Sequence, residues 1–215
     1  MITIILILLS ILYPADTKTQ ASRTIISETE PFYNYKKDKV FIVNNISNAP
    51  TIDGILNEDC WQDLKQLDSE SNYIDDFTQD YPSNLSSPSF RSIVSIGSDS
   101  KNIYIGARLF DSTPDSIMQR LSRRDNIDPW LSDWFSIELD SNHDHETAYR
   151  FAVNSSGVQL DGVIYADSEF DIQYDGVWES DVQIDEYGWK VEMKIPFKML
   201  SITQIENPWG LNISR

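Results

Sequence analysis

Two tryptophans lie in polar stretches of this chain of 215 residues, where a large apolar ring is unusual. Trp130 lies in DNIDPWLSD and Trp178 lies in YDGVWESD. An exposed indole can stack on the apolar face of a pyranose sugar, because the contact removes apolar surface of both partners from water. Both rings are therefore candidates for sugar binding. The alternative is that each ring plugs one end of the folded domain.

Oxygen-bearing side chains alternate in the segment DSNHD. Asp140, Asn142 and Asp144 are spaced so that their oxygens can converge on one hard cation, as in calcium loops. The full pattern of such loops fails, since His145 stands where glycine is required. One structural calcium ion is the first interpretation, and an Asx-rich turn is the second. If the segment is extended, His143 and His145 point to opposite faces, which disfavours a metal site that they share.

The sequence contains no recognisable catalytic motif, and its many acidic residues make any single pair of carboxylates uninformative. A glycosidase needs two carboxylates at a fixed separation, but in so acidic a chain some pair will meet by chance. The Gly-x-Ser-x-Gly elbow, the phosphate-binding glycine loop and the His-rich metal cluster are all missing from the sequence. Cys60 is the single cysteine and is expected to be a buried structural thiol. We therefore expect a protein without catalytic residues and without a required cofactor. The carboxylates considered are Asp125, Asp133, Asp161, Asp171, Asp175 and Asp181.

From Phe90 onward the hydrophobic pattern has a period of two residues, which predicts β-strands. In the strand around Val191, the side chains of Glu192 and its lysine neighbours are expected to face water. Many short strands separated by turns predict an all-β fold, an antiparallel β-sandwich of jelly-roll type. The predicted inward faces carry Val94, Ile96, Ile103, Ile105, Ala107, Leu109, Phe135, Ile137, Leu139, Tyr149, Phe151, Val153, Trp189, Val191, Met193 and Ile195.

Short helices at the periphery accompany the predicted strands. Asn57–Leu67 is predicted to be an amphipathic helix that turns Cys60, Trp61 and Leu64 inward. Residues 69–89 are rich in Ser, Asn, Asp and Pro, and are predicted to form a long surface loop. Trp61, Trp189 and Trp209 lie in apolar periodic contexts, so they are predicted to be core residues.

Six fragments in a fixed order resemble the carbohydrate-binding modules of family 9, as found at the front of large bacterial outer-membrane proteins. The resemblance covers roughly four-fifths of the chain, and each fragment alone is an ordinary strand or turn. It implies a carbohydrate-binding β-sandwich. The fragments are APTIDG, CWQ, NIYIGARLFD, FAVNSSG, GWKVEMKIPF and WGLNISR.

The resemblance also implies a set of binding residues. Family 9 modules hold a terminal sugar between two tryptophans, and Trp130 with Trp178 is the matching pair. Arg150 and Glu138 are the implied partners of sugar hydroxyls, since both alternate out of their strands; solvated surface charge is the alternative. A glutamate is usual in the family near Ser136, and Glu138 can take over from two residues away. The amide of Asn154 completes the set of expected ligand-binding side chains.

The charge of the chain limits its partners. The formal net charge is −17, and the sequence pI is about 4.3. A uniformly acidic surface repels nucleic acid and anionic membranes. Neutral glycans and divalent cations are compatible with it.

Residues 1–21 are predicted to be a signal peptide, because residues 1–13 form an apolar run too short to span a bilayer. A buried strand is the alternative for this run. Residues 22–39 are predicted to be a polar linker, and residues 40–215 the family 9-like module, truncated at its C-terminus. The resemblance implies that an outer-membrane β-barrel follows. It also implies a secreted protein, periplasmic or bound to the outer membrane of a Gram-negative bacterium.

Two functions of different classes follow. The first is a non-catalytic module that holds the end of an oligo- or polysaccharide, with a part in carbohydrate catabolism. The second is a structural N-terminal sandwich of an outer-membrane barrel protein that binds no sugar. An accessory or catalytic module of a glycoside hydrolase is a distant third.

Overall fold

The computed structural model describes residues 5–8, 39–66, 72–80, 82, 84, 86–126, 131–166, 169–203 and 208–215. Single turns of 3-10 helix span Asp59–Trp61, Pro114–Ser116 and Phe197–Met199. The other elements, in chain order, are β1 (Ile5–Leu8), β2 (Lys39–Ile42), β3 (Asn44–Asn45), α1 (Gln62–Gln66), β4 (Ser92–Ser98), β5 (Asn102–Phe110), β6 (Trp134–Asp140), β7 (Ala148–Asn154), β8 (Gln159–Tyr165), β9 (Glu169–Asp171), β10 (Glu179–Asp185), β11 (Gly188–Pro196) and β12 (Gly210–Ser214).

Ten of these strands form two sheets of five strands each. The first sheet has the order β10-β11-β5-β4-β3, and the second sheet has the order β12-β6-β7-β8-β9. Neighbouring strands are antiparallel, except that β3 runs parallel to β4. The two sheets enclose one hydrophobic core. The predicted antiparallel β-sandwich is therefore confirmed.

The core lies between the inward faces that the period of two residues predicts. Phe151 and Val153 of the second sheet and Val191, Met193 and Ile195 of the first sheet are fully buried. Their alternation places every second side chain on the same face of its strand. Burial of such side chains contributes about 1.5–3 kcal/mol each.

A second apolar cluster covers the outward face of the first sheet. Trp61 is fully buried there, together with Leu56, Leu64 and Ile93. The indole lies against Gly106 of β5, where a Cβ atom would come within 2.8 Å of the Trp61 ring. Glycine at this position therefore lets the ring contact the backbone of the sheet. The predicted helix is shorter than expected, because only α1 and the preceding 3-10 turn are helical in the described part of the segment.

The side chain of Glu192, on β11, was expected to face water, but it is fully buried. It does point away from the central core, but the second cluster covers it completely. One carboxylate oxygen accepts the indole N–H of Trp61 at 2.7 Å. The other accepts the backbone N–H groups of Gly54 at 2.7 Å and Asp53 at 3.0 Å. Burial raises the pKa of Glu192, although these donors oppose the rise.

At the N-terminus, β1 pairs in parallel with β2. The alternative to a signal peptide was a strand in residues 1–13, and β1 is such a strand. Cleavage of residues 1–21 stays a prediction. Residues 9–38, with nearly all of the predicted linker, lie outside the described residues. Within the described part of the chain, no helix is long and apolar enough to cross a membrane.

Replacing Glu192 tests its role in holding the N-terminal segment on the first sheet. Glu192→Ala should lower the free energy of unfolding by about 3 kcal/mol or more, because two buried N–H donors and the N–H of Asp53 lose their acceptor. Urea unfolding measures the change. Glu179→Ala on the exposed strand β10 is the control, with an expected change within about 0.5 kcal/mol. Equal stabilities of the two variants would contradict the assignment.

Candidate functional site

The outward face of the second sheet carries three rows of side chains that the strand register sets side by side. The first row is Asn212, Glu138 and Arg150, on β12, β6 and β7. The second row is Ser214, Ser136, Ala152 and Leu160, and the third is Trp134 and Asn154. Register partners share a face of the sheet. The row of Asn212, Glu138 and Arg150 is called the polar row below.

The polar row is joined by hydrogen bonds. Arg150 donates from Nε (2.8 Å) and Nη2 to the same oxygen of Glu138, and Asn212 donates its amide N–H to the other oxygen at 2.8 Å. Glu138 is buried, whereas the Arg150 side chain is 36% exposed. The bonds to Glu138 use Nε and Nη2 of Arg150, so Nη1 and the amide oxygen of Asn212 make no bond to a described residue.

An aromatic ring holds the other side of the Arg150 guanidinium. The ring of Phe170, on β9, lies 5.1 Å from Cζ of Arg150. It also lies over Gly162 of β8, where a Cβ atom would come within 2.4 Å of the ring. A larger residue at Gly162 would displace the ring. Arg150 is therefore fixed between a carboxylate and an aromatic face.

The remaining predicted ligand residues on this face have local partners. The hydroxyls of Ser136 and Ser214 lie 2.7 Å apart and share one hydrogen bond. Asn154 is buried, and its amide N–H donates to the carbonyl of Arg120 at 3.0 Å while its oxygen accepts two backbone N–H groups of its own turn. Asn154 is thus a structural residue here. The half-buried Trp134 beside it has an indole N–H with no acceptor among the described residues.

A buried carboxylate organises the end of the domain next to this face. Asp161 lies on the inward face of β8, opposite Phe151 in register, and is fully buried. One oxygen accepts the backbone N–H of Gly176 at 2.6 Å. The other accepts the indole N–H of Trp178 at 3.1 Å and a guanidinium N–H of Arg124. One side chain thus joins β8 to two separate loops.

Trp178 corrects the expectation of an exposed indole. Its side chain is 5% exposed, and its ring packs edge-on against Phe151 with centroids 5.5 Å apart. The bond to Asp161 satisfies its N–H group. Trp178 is therefore a packing residue in this structure. This agrees with the alternative interpretation, in which the ring plugs one end of the folded domain. Trp130, the other half of the predicted clamp, lies outside the described residues.

Three carboxylates near Trp178 gather around one arginine. The nearest oxygens of Asp125, Asp161 and Asp175 lie within 4.8 Å of one another, a spacing that a metal ion could use. Arg124 already supplies a cation there. Besides its bond to Asp161, its Nε lies 3.5 Å from Asp125 and its Nη2 lies 3.6 Å from Asp175. The guanidinium therefore offsets part of the negative charge of the cluster.

Two groups near this cluster have shifted pKa values. Burial raises the pKa of Asp125 above its ordinary value, although the backbone N–H of Asp161 donates to it. Burial, with a smaller contribution from the Asp161 carboxylate, raises the pKa of Tyr174 to about 12. The Tyr174 hydroxyl is therefore protonated at neutral pH and donates to the Met199 carbonyl at 2.7 Å.

The loop predicted to bind calcium is closed by its own hydrogen bonds. Asp140 accepts backbone N–H groups from Asn142, Asp144 and His145 at 2.9–3.2 Å. Asp144 accepts the N–H groups two and three residues further along the chain. The oxygen of Asn142 accepts from the backbone and hydroxyl of Thr203. This is the geometry of an Asx-rich turn, and calcium binding stays a prediction.

Two other groups considered for chemistry have structural settings. His143 and His145 have positive φ values of 53° and 61°, and their rings meet edge-on with centroids 4.5 Å apart. They were expected to point to opposite faces only if the segment is extended, and the positive φ values show that it is not. Cys60 is partly buried, and burial raises the pKa of its thiol to about 11. Its thiol is therefore a weak nucleophile at neutral pH.

Sequence reasoning found Arg150, Glu138 and Ser136 on the outward face, where the structure brings them together. It missed β8 and the partners of Asp161. The first two inward positions of β8 are Gln159 and Asp161. Because both are polar, the strand lacks the alternation of apolar side chains that predicts a strand. The sequence signal for this strand was an acid, Asp161, among strand-forming residues. In a chain with so many acids, this signal does not stand out.

Several solved structures have a similar fold, whereas no protein-family model and no curated protein matches the chain. One is a family 9 carbohydrate-binding module from Caldicellulosiruptor kristjanssonii in complex with cellotriose, with a TM-score of 0.48, 18% identity and coverage of 79% of this chain and 73% of that chain. A second is a family 9 module from the same organism in complex with glucose, with a TM-score of 0.48, 16% identity and coverage of 79% and 83%.

The third is the crystal structure of a candidate carbohydrate-binding protein from Bacteroides uniformis. Its TM-score is 0.50 at 12% identity, and the match covers 80% of this chain and 88% of that chain. At this identity the likeness concerns the fold alone. The expected resemblance to carbohydrate-binding sandwiches is confirmed at that level.

Trp178→Ala should destabilise the domain by about 3–5 kcal/mol, since it removes a buried ring and one partner of Asp161. Urea unfolding measures the loss. Val177→Ala is the matched control, because the neighbouring side chain is exposed and the expected change is within about 0.5 kcal/mol. A stable Trp178→Ala variant that loses glycan binding would restore the clamp and contradict the packing role.

The calcium hypothesis predicts a higher melting temperature with added calcium and a lower one after chelation, because an ion that binds the native state alone stabilises it. Asp144→Ala should abolish the difference. An unchanged melting temperature at millimolar calcium would leave the loop as an Asx-rich turn.

Proposed function

We propose that this domain is a non-catalytic carbohydrate-binding module that holds a glycan on the outward face of the second sheet. The polar row of Asn212, Glu138 and Arg150 carries the proposal. It presents donors and acceptors whose positions are fixed before any ligand arrives. Preorganised groups lose little conformational entropy when they bind.

Sugar hydroxyls suit this row chemically. A hydroxyl both donates and accepts, so Nη1 of Arg150 can donate to it while the amide oxygen of Asn212 accepts from it. Glu138 neutralises the charge of Arg150, and its own carboxylate is not exposed to a ligand because it is buried. The face therefore binds a neutral polar ligand without leaving an unpaired ion.

Aromatic rings border the polar row and suit the apolar faces of a sugar. Phe170 lies beside Arg150, and the partly exposed Trp134 lies two rows further along the sheet. Trp134 takes the stacking role that sequence reasoning gave to Trp178. A contribution from Trp130 stays a prediction, since this residue precedes β6 by only four positions.

Support for a non-catalytic role comes from the hydrogen bonds of the buried carboxylates. The buried carboxylates of Glu138, Asp140 and Asp161 each accept several protein donors. A glycosidase needs one carboxyl group that is free to give a proton and a second that acts as base or nucleophile. Carboxylates held by structural hydrogen bonds do not suit these roles.

The wider setting belongs to the same proposal. The apolar run in residues 1–13 supports secretion across the inner membrane. The family 9 resemblance supports a place at the outer membrane of a Gram-negative bacterium, ahead of a barrel, with a part in glycan catabolism. Cell fractionation with an antibody to the domain tests the location, and a cytoplasmic pool alone would contradict it.

A glycan-array screen followed by calorimetry tests the binding function. Arg150→Ala should weaken binding of the best neutral glycan by about ten-fold or more, since a hydrogen bond to a charged group contributes about 1.5–3 kcal/mol. Lys194→Ala is the matched control, because it breaks a similar ion pair, with Glu179, on the first sheet. The control should bind like the wild type.

The melting temperature of each variant separates loss of binding from loss of fold. If the folded wild type binds no glycan, the structural sandwich is the better description. If Arg150→Ala binds as tightly as the wild type, the polar row is not the site.

A further inference from the structure

We infer that the glycan is acidic, and that Arg120 and Arg123 bind its carboxylate groups at the end of the outward face. The inference rests on the proposed function and names the ligand class. These arginines lie in residues 117–126, called the basic loop here. The loop contains three arginines and one aspartate, so its formal charge is 3 − 1 = +2 in a chain of net charge −17.

Buried polar side chains hold the backbone of the basic loop. The carbonyl of Met118 accepts the hydroxyls of Ser132 and Ser155, both at 2.8 Å. The carbonyl of Arg120 accepts the amide of Asn154 at 3.0 Å. All three of these donor side chains are buried. The loop is therefore held in one place by donors that are themselves fixed in the sandwich.

The arginines of the basic loop divide into two kinds. Arg124 points inward and is committed to Asp161 and its neighbours. Arg120 and Arg123 are exposed, and neither guanidinium pairs with a described residue. Leu121 between them is 81% exposed, so the tip is fully in solvent. Two guanidinium groups that make no bond to a described residue can each bind a carboxylate through two parallel hydrogen bonds.

The loop is continuous with the proposed sugar site. Arg120 is bonded to Asn154, which lies on β7 on the same face as Arg150. The four residue-to-residue steps from Arg150 to Asn154 span roughly 13 Å of strand. A polysaccharide that runs along β7 would meet Arg150 first and the two loop arginines next.

The negative net charge does not prevent this binding. Charges further away than about 8 Å are largely screened at physiological ionic strength. Two acids in or bonded to the loop accept backbone donors: Asp133 accepts the N–H of Met118 at 2.7 Å, and Asp125 accepts the N–H of Asp161 at 3.1 Å. The formal charge of +2 on the basic loop therefore favours an anion at Arg120 and Arg123.

Binding to polygalacturonate, alginate and hyaluronan, each compared with its methyl-esterified form, tests the inference in the intact domain. The free acid of at least one polymer should bind about ten-fold or more tightly than its ester, because esterification removes the charge and keeps the sugar. The preference should shrink in high salt.

The double variant Arg120→Ala/Arg123→Ala should remove this preference and leave binding of the esters unchanged. Lys190→Ala/Lys194→Ala, on the first sheet, changes the net charge equally and should keep the preference. Arg150→Ala should weaken both forms.

The outcomes separate this inference from the proposed function. If neither form of any polymer binds and the array is also blank, the proposed function fails. If esters or neutral glycans bind as tightly as the acids, only the acidic specificity fails. Polyglutamate that binds as tightly as the acidic glycans would show a site for charge alone, and would overturn the inference.

Discussion

The fully buried carboxylate of Asp161 holds together the end of the sandwich on which the candidate site depends. It lies on the inward face of β8, where an apolar side chain is expected, and a buried charge is costly unless it is paired and hydrogen-bonded. Arg124, Trp178 and the backbone of Gly176 supply the partners. Those partners come from the basic loop and from the segment between β9 and β10. The requirement to satisfy one buried acid therefore fixes two loops that no strand pairing would fix.

Glu192 applies the same constraint on the opposite side of the molecule. Its carboxylate accepts the indole of Trp61 and the turn at Asp53 and Gly54, so the N-terminal segment is bound to the first sheet. In both places a tryptophan N–H reaches the acid, and an aromatic ring covers it. A hydrogen-bonded acid beneath an indole gives a unique docking position, since sliding the segment by one residue would leave buried donors unpaired. Apolar packing alone would tolerate such a shift more easily.

The fold could be predicted from the sequence wherever apolar side chains alternate, as they do around Met193 and Phe151. Prediction failed at the polar residues of the interior. Glu192 was expected to face water, and Trp178 was expected to be exposed because its sequence neighbours are polar. Strand β8 was not predicted, because Asp161 interrupts the apolar alternation. In each case the partner lies 15 or more residues away along the chain. A linear pattern reports the polarity of neighbours in sequence, whereas burial of a polar group depends on neighbours in space.

The same distinction explains why the outward face was predicted better than the loops. The outward positions of Arg150 and Glu138 follow from strand alternation, which a period of two residues reveals. A sheet is also the stiffest part of the domain, so groups placed on it keep their separation when a ligand binds. The basic loop lacks that support from pairing and takes its rigidity from Ser132, Ser155 and Asn154 instead. Under the proposed function, specificity can therefore change with the loop while the sheet keeps the groups proposed to bind sugar.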